Sequence, residues 1–331
     1  MPSPLRLVFL GSDPIALPLL DWLAAEGRGA AEVVAVFTQP DRPTGRGQKL
    51  GTNAIKRWAA ARNIPVRQPE KLTLVDREEL ARLGADLSLV VAYGQILGGR
   101  FIETPRLGTL NVHASVLPLY RGASPIQTAI ACGEKTTGVS LMRIVRELDA
   151  GPVADCERIA VGELDTAAEL EAKMAAACVP LLARTLPLLG DGRLVFREQD
   201  RARATYCRRL SKEDGAVDFG ASAPALAARI NGLFPWPCCS VDFNGVLVRI
   251  GLADATSGGD PGRAASGTVL GSDENGLRVS TSAGVLRLRR LQRPGGRMLP
   301  AAEFLRGFPV APGVRLPSQA MPPLAVARPP S

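Results

Sequence analysis

Short apolar runs alternate with stretches of helical spacing along the first third of the chain. Arg6-Leu7-Val8-Phe9-Leu10-Gly11 reads as a buried strand ending in a turn. Ile15–Glu26 reads as a helix in spite of Pro18, and Glu32–Thr38 as a second strand. Gln39–Thr52 is a loop rich in Gly, Pro and basic residues. Ala54–Asn63 is a helix, Pro65–Arg67 a short strand and Asp76–Leu83 another helix. Asp86–Ala92 is almost continuously apolar, as expected of a central parallel strand covered on both faces. Gly108–His113 supplies one more strand. This alternation predicts an α/β fold with a Rossmann-like, doubly wound, mostly parallel sheet.

Residues 164–189 read as an Ala/Leu-rich helix that Pro180 should break or kink. The pattern changes around residues 190–205. Short β-like pieces follow: Cys239–Phe243, Val246–Ile250, Gly267–Leu270, Leu277–Ser280 and Val285–Leu291, separated by Gly and Asn. They predict a small all-β domain, an OB-like barrel. The tail from Pro309 is Pro-rich and is expected to be extended or disordered. The division that results is 1–189, a linker 190–206, a second domain 207–309, and a tail 310–331.

Composition narrows the class. The chain has 331 residues, 46% of them hydrophobic and 22% charged, which excludes wholesale disorder. No window approaches about 18 consecutive apolar residues without a breaker, so no membrane span is expected. The start, Met1-Pro2-Ser3-Pro4, lacks the basic segment of a signal peptide. Six scattered cysteines form no CxxC pair, so neither a metal nor a disulfide framework is expected. Buried free thiols and a cytoplasmic location follow. The net charge of +8 is unevenly placed. Residues 201–331 hold 17 basic and 9 acidic side chains, whereas residues 1–200 hold 23 of each. A basic second domain suggests a polyanionic partner, nucleic acid first, and equally suits an Arg-rich surface of no special function.

Chemistry concentrates in three places. The single histidine, His113, lies in Leu110-Asn111-Val112-His113. Residues two apart on a strand share a face, so Asn111 and His113 point the same way at the end of a parallel strand. Open α/β sheets bind ligands at that edge. A lone histidine is most often a satisfied polar side chain, and that ordinary reading stands beside the catalytic one. Ser115–Gln127 is a turn-rich loop entering a helix with Pro125 in its first turn. Leu148-Asp149-Ala150-Gly151-Pro152 marks a tight loop, in which Asp149 could simply cap its own backbone.

Taken together these pieces resemble the folate-dependent formyltransferases. That family's signature is an Asn-x-His strand, a Ser-Leu-Leu-Pro-type loop followed by Arg-Gly, and a Leu-Asp-x-Gly loop. Thr38–Leu50 is similar to the inserted loop of the branch that formylates methionyl-tRNA, and Val90–Leu97 to its folate-pocket strand and turn. Tyr206–Asp214 and Phe234-Pro235-Trp236-Pro237 extend the resemblance to about Pro309, in the family's order and spacing. Three positions depart from the pattern: Ile15 replaces an aromatic, Tyr120 a Trp, and Ala150 a Thr.

The resemblance implies a formyl transfer from 10-formyltetrahydrofolate to the α-amine of methionyl initiator tRNA, without a metal. Catalysis falls to Asn111, His113 and Asp149. Asn111 and His113 would donate to the oxyanion of a tetrahedral intermediate, while Asp149 would orient His113 and relay protons. The pterin would lie against Val91, Ala92, Tyr93, Gly94, Ile96 and Leu97, with Ser115, Val116, Leu117 and Pro118 shaping its passage. Alone, the basic 39–50 loop reads as a solvated loop; the resemblance gives Arg42, Arg46 and Lys49 to the tRNA acceptor end, with Arg46 sensing a weak first base pair. Arg287, Arg289 and Arg290, with Arg293 and Arg297, become candidates for phosphate contacts. Domain 1–189 would be catalytic, 207–309 tRNA-binding, and the protein a monomer. The main alternative is the same chemistry on an amino-sugar nucleotide. An NAD-dependent oxidoreductase fits poorly, because Gly11–Ala16 carries one glycine where the dinucleotide fingerprint needs three.

Overall fold

The computed structural model describes residues 3–44, 49–256 and 264–327. The chain divides into two compact units. The first comprises residues up to Arg121, Gly138–Ile159 and Glu171–Ala204. The second comprises Gly122–Thr137, Ala160–Leu170 and the chain from Thr205.

The first unit is built on a seven-stranded sheet. Its strands are β1 (Leu5–Gly11), β2 (Ala31–Phe37), β3 (Val66–Arg67), β4 (Leu87–Val91), β5 (Thr109–His113), β6 (Thr136–Arg143) and β7 (Val153–Ala160). Their spatial order is β7-β6-β5-β4-β1-β2-β3. From β3 to β5 every pairing is parallel, and β6 runs antiparallel to β5. Strand order reverses between β1 and β4, which is the switch point where open sheets of this kind bind ligands. The chains approach closely there: a Cβ at Gly11 would sit 2.6 Å from the Val91 carbonyl oxygen. All five residues of β4 are buried, as its unbroken apolar run requires.

Helices α1 (Leu17–Ala24), α2 (Ala54–Ala60) and α3 (Leu74–Arg82) follow the predicted pattern. Pro18 does not interrupt α1, because it occupies the first turn, where its missing N–H has no helical partner to lose. Asp76 accepts from the Thr73 backbone N–H at 2.7 Å and closes the N-terminus of α3. Strands β6 and β7 were not apparent in the sequence pattern; six of the eight residues of β6 are buried, so no alternation marks it.

Two expectations need correction. The helix at 164–189 is continuous from Ala167 to Gly190 and runs through both Pro180 and Pro187. Each internal proline costs a helix about 3 kcal/mol. Burial of Leu170, Met174, Leu181, Leu182, Leu186 and Leu189 offsets this at about 1.5–3 kcal/mol per side chain. By length and composition this helix is also apolar enough to cross a membrane, although the sequence shows no such uninterrupted run; half of its apolar window is buried inside the structure. The tail is not loose: Leu316 and Leu324 are buried, Val269 N–H donates to Val314 at 2.8 Å, and Ala325–Val326 pairs with Tyr206–Cys207. Within the expected linker 190–206, Arg197 exchanges backbone hydrogen bonds with Val153 of β7 at 2.8 and 2.9 Å.

The second unit carries an antiparallel sheet of β8 (Cys239–Phe243), β9 (Val246–Ala255), β10 (Val269–Asp273), β11 (Gly276–Ser280), β12 (Val285–Gln292) and β13 (Leu299–Pro300). The order is β8-β9-β12-β11-β10, with β13 on β12. Asn244-Gly245 closes the β8–β9 hairpin with both residues at positive φ, 53° and 85°, the conformation that a two-residue hairpin turn needs. Phe219, Phe243, Val248, Ile250, Leu277 and Leu288 form its core. Two helices that the strand pattern did not reveal, Ala223–Gly232 and Ala301–Gly307, pack on this sheet. None of the six cysteines is joined in a disulfide, and four are buried; Cys132 is exposed and Cys156 half-buried.

Candidate active site

Strand β5 positions two of the three predicted catalytic side chains. Asn111 is half-buried, while His113 is 6% exposed at the C-terminal end of the strand. His113 Nε2 lies 2.9 Å from the Tyr120 carbonyl oxygen. A carbonyl only accepts, so Nε2 carries the hydrogen and donates it. Nδ1 of the neutral ring then presents its lone pair. It faces Asp149 Oδ2 at 3.8 Å, too far for a direct hydrogen bond. The ordinary reading of the histidine, a satisfied core group, therefore describes only one of its two nitrogens.

Asp149 arrives from the β6–β7 connection. Its φ is +46°, a left-handed conformation uncommon outside glycine and better tolerated by Asp and Asn than by most residues. Gly151 is dictated by packing, because a Cβ there would collide with the Arg143 carbonyl. Tyr120 also has positive φ, at 57°. The group it supplies to His113 is its backbone carbonyl, so the change from Trp to Tyr leaves that contact intact.

Of the predicted donor-binding segments, Val91–Leu97 begins at the switch point beside Gly11, and Ser115–Pro118 follows β5. Val91 and Tyr93 are buried, and Tyr93 belongs to the core beside Phe101 and Leu80. Burial pushes the Tyr93 phenol up to about 12, and its hydroxyl has no hydrogen-bond partner. The side chains of these two residues therefore belong to the core rather than to a pocket. Ala92, at φ 48°, and Gly94, at φ 80°, are exposed, and the Ala92 carbonyl accepts from Ser12 N–H at 3.2 Å. The Tyr93 carbonyl accepts from Ser12 Oγ at 3.3 Å and Gln39 Nε2 at 3.1 Å. Ile96 is 97% exposed and Leu97 half-buried. The Ser115–Pro118 loop is pinned by Ser140, whose Oγ donates to the Ser115 carbonyl at 2.7 Å and accepts from Leu117 N–H at 3.2 Å. Ser115 Oγ donates to the Leu119 carbonyl at 2.6 Å. Val116, Leu117 and Pro118 are half-buried.

The basic loop is more ordered at its base than its composition predicts. Arg42–Thr44 and Lys49–Gly51 form a small antiparallel ladder. Asp41 anchors it, accepting from Lys56 at 2.6 Å and Gln68 at 2.9 Å, and these bonds hold its carboxyl below the usual range. Arg42 pairs with Glu70 at 2.7 Å on the surface. Arg46 lies outside the described residues, as does the side chain of Lys49.

The C-terminal candidates divide. Arg287 donates to Asp254 at 2.9 and 2.7 Å, and Arg289 reaches the same carboxylate at 2.8 Å. The two share a face, as their spacing requires, but their charge is met by two acids, the buried Asp254 and, 3.6 Å from Arg287, Asp273. Burial pushes the Asp254 carboxyl up, and the two guanidinium groups more than offset this and hold it below its ordinary value. Arg290, Arg293 and Arg297 are exposed. The sequence reading missed Arg278, which is directly opposite Arg287 across the β11–β12 pair. It has no carboxylate partner among the described residues, and its Nε is buried without a hydrogen bond. The strand alternation of Leu277-Arg278-Val279 was the available signal.

Residues 5–186 match the family described as "Formyl transferase", and residues 209–309 match "Formyl transferase, C-terminal domain". The chain belongs to the formyl transferase family. A methionyl-tRNA formyltransferase of Ectopseudomonas mendocina (strain ymp) is 40% identical over 319 residues, which is 96% of this chain and 99% of the relative. Another, of Gluconobacter oxydans (strain 621H), is 39% identical over 94% of this chain and 100% of its own. This level of identity over nearly the full length groups the chain with the methionyl-tRNA formyltransferases. Among solved structures, the sugar 3N-formyl transferase WlaRD, crystallised with dTDP and 5-N-formyl-THF, superposes with a TM-score of 0.65 at 18% identity, covering 88% of this chain and 98% of its own. HypX from Aquifex aeolicus in complex with tetrahydrofolic acid gives 0.60 at 17% identity, covering 92% of this chain and 47% of its own. Those two likenesses are of fold.

Proposed function

We propose that this chain transfers the formyl group of 10-formyltetrahydrofolate to the α-amino group of methionyl initiator tRNA, in the cytoplasm and as a monomer. The observation that carries the reading is the placement of Asn111, His113 and Asp149 around one edge of the sheet, in a chain of this family. The donor supplies an activated formyl carbon on a good leaving nitrogen. The methionyl amine attacks that carbon, a C–N bond forms, and the carbonyl oxygen becomes an oxyanion. The Asn111 amide and a protonated His113 Nδ1 are the available donors for it. Collapse breaks the bond to the folate nitrogen. The amine has then lost one proton and the leaving nitrogen has gained one. Asp149, beside Nδ1, orients the ring and passes that proton through water.

The donor fits the residues present. A planar pterin needs backbone donors and acceptors and an apolar cover. The backbone of Gly94 and the apolar side chains of exposed Ile96 and half-buried Leu97 offer both, with Ser115–Pro118 as the opposite wall. Arg42, Arg46 and Lys49 approach the acceptor end. Arg278 and Arg290, rather than Arg287 and Arg289, are the first choice for phosphate contacts. Work is divided between a catalytic domain (1–189), a joining segment (190–206), a tRNA-binding domain (207–309) of OB-like type, and a tail (310–331).

The test is transfer of labelled formyl from 10-formyltetrahydrofolate to charged initiator tRNA, with elongator methionyl-tRNA alongside. Formylation of the initiator alone is expected. Binding of the folate without transfer to either tRNA would redirect the reading to an amino-sugar nucleotide acceptor.

A further inference from the structure

The backbone of the loop that carries Asp149 is held by a pair of residues that the proposed chemistry does not use. Arg121 is 1% exposed, the largest fully buried side chain among the described residues. Its Nε and Nη2 both donate to Gln199 Oε1, at 3.1 and 2.8 Å. Gln199 Nε2 in turn donates to the carbonyls of Asp149, at 2.8 Å, and Gly151, at 2.7 Å. Glu147 Oε1 lies 3.7 Å from Arg121 Nη1 and shares the charge.

The chemistry of this chain of contacts fixes its direction. A guanidinium only donates, and backbone carbonyls only accept. The Gln199 amide can therefore sit only one way, with its oxygen on Arg121 and its NH₂ on the loop. A flip would place NH₂ against the guanidinium and oxygen against two carbonyls. The loop so gripped carries Asp149 at φ +46°, a conformation that surrounding contacts must impose.

We infer that Arg121 and Gln199 form a positioning clamp that sets Asp149 against His113, and that Gln199, in the segment the sequence reads as a linker, belongs to the catalytic machinery of the first unit. The inference rests on the formyl-transfer reading for its kinetic test. Misplacing a catalytic group by about 1 Å costs up to about 100-fold in rate.

The experiment compares Gln199→Leu in the wild-type and Asp149→Asn backgrounds, with Gln199→Glu as the isosteric variant that keeps a partner for Arg121 and safeguards folding. In the wild-type background both substitutions are expected to lower kcat about 10–100-fold, with KM for tRNA and for the formyl donor within about twofold. In the Asp149→Asn background, Gln199→Leu is expected to cost less than about twofold, because the group it positions is already gone. An equal loss in both backgrounds, or unchanged kcat, overturns the clamp. Hydrogen exchange of peptides spanning 147–151 reads the same claim without turnover: Gln199→Glu should speed it there and leave the β1 and β4 peptides unchanged, and unaltered exchange overturns it. If wild type forms no formyl-methionyl-tRNA, the proposed function fails, and the exchange result still decides the clamp.

Discussion

The end of β5 and the face of β12 were both expected to carry functional polar groups, and they differ in how those groups are partnered. At β5, Asn111 stands half-buried and His113 is held at one nitrogen by the Tyr120 carbonyl while the other faces Asp149. At β12, Arg287 and Arg289 converge on one buried carboxylate, that of Asp254. A motif names groups whose use is local; a count of charges says nothing about which are already neutralised. Net positive charge over residues 201–331 is therefore a poor map of where a phosphate binds, since part of it is structural.

Substitutions that break this contrast differ most in size at the catalytic end. Asn111→Ala or His113→Ala should lower kcat for formyl transfer by about 10²–10⁴-fold, measured as initial rates with saturating donor. A loss under tenfold would remove that residue from the mechanism. On the other face, Asp254→Ala strands Arg289 and leaves Arg287 only Asp273, at 3.6 Å, and should cost roughly 3 kcal/mol of stability in a denaturant melt while altering kcat little. Arg278→Ala and Arg290→Ala should instead leave stability unchanged, weaken tRNA binding, and reduce the slope of log affinity against log salt by about 1 each. Arg287→Ala behaving like Arg290→Ala would erase the distinction.

A pH series sharpens the same point. The folded value of the Asp254 carboxyl lies below the ordinary 3.8. A depressed carboxyl adds stability that is complete above the ordinary value and is lost as pH falls through the folded one. The stability advantage of wild type over Asp254→Asn should thus hold at about pH 6 and shrink progressively below about pH 4. The smallest effect is expected at Arg42→Ala, whose pair with Glu70 is exposed on both sides and contributes about 0–1 kcal/mol. Its consequence should appear in the preference for initiator tRNA and not in the melt.

The sequence made the sheet legible wherever one strand's own pattern identified it. Leu87–Val91 announces itself by an apolar run, and Asn111 and His113 share a face by the period of two. Asp149 was reachable only through its motif, since its approach to His113 depends on how the β6–β7 connection folds back. Gln199 was invisible: its partners, Arg121 and Asp149, lie 78 and 50 residues away. The pairing of Arg287 with Asp254 spans 33 residues across two strands and carries no local signal. Helix Ala223–Gly232 did carry one, Ser222 as cap with Pro224 in the first turn, and was hidden by the surrounding strand pattern.

The most direct test of the central claim, that chemistry resides at the end of β5 while tRNA affinity resides elsewhere, is a paired measurement on His113→Ala: single-turnover formyl transfer and initiator tRNA affinity on the same preparation. The account predicts a loss of transfer of at least about 100-fold with affinity unchanged within about twofold. Transfer that survives at near wild-type rate, or affinity that falls in step with it, would contradict the account.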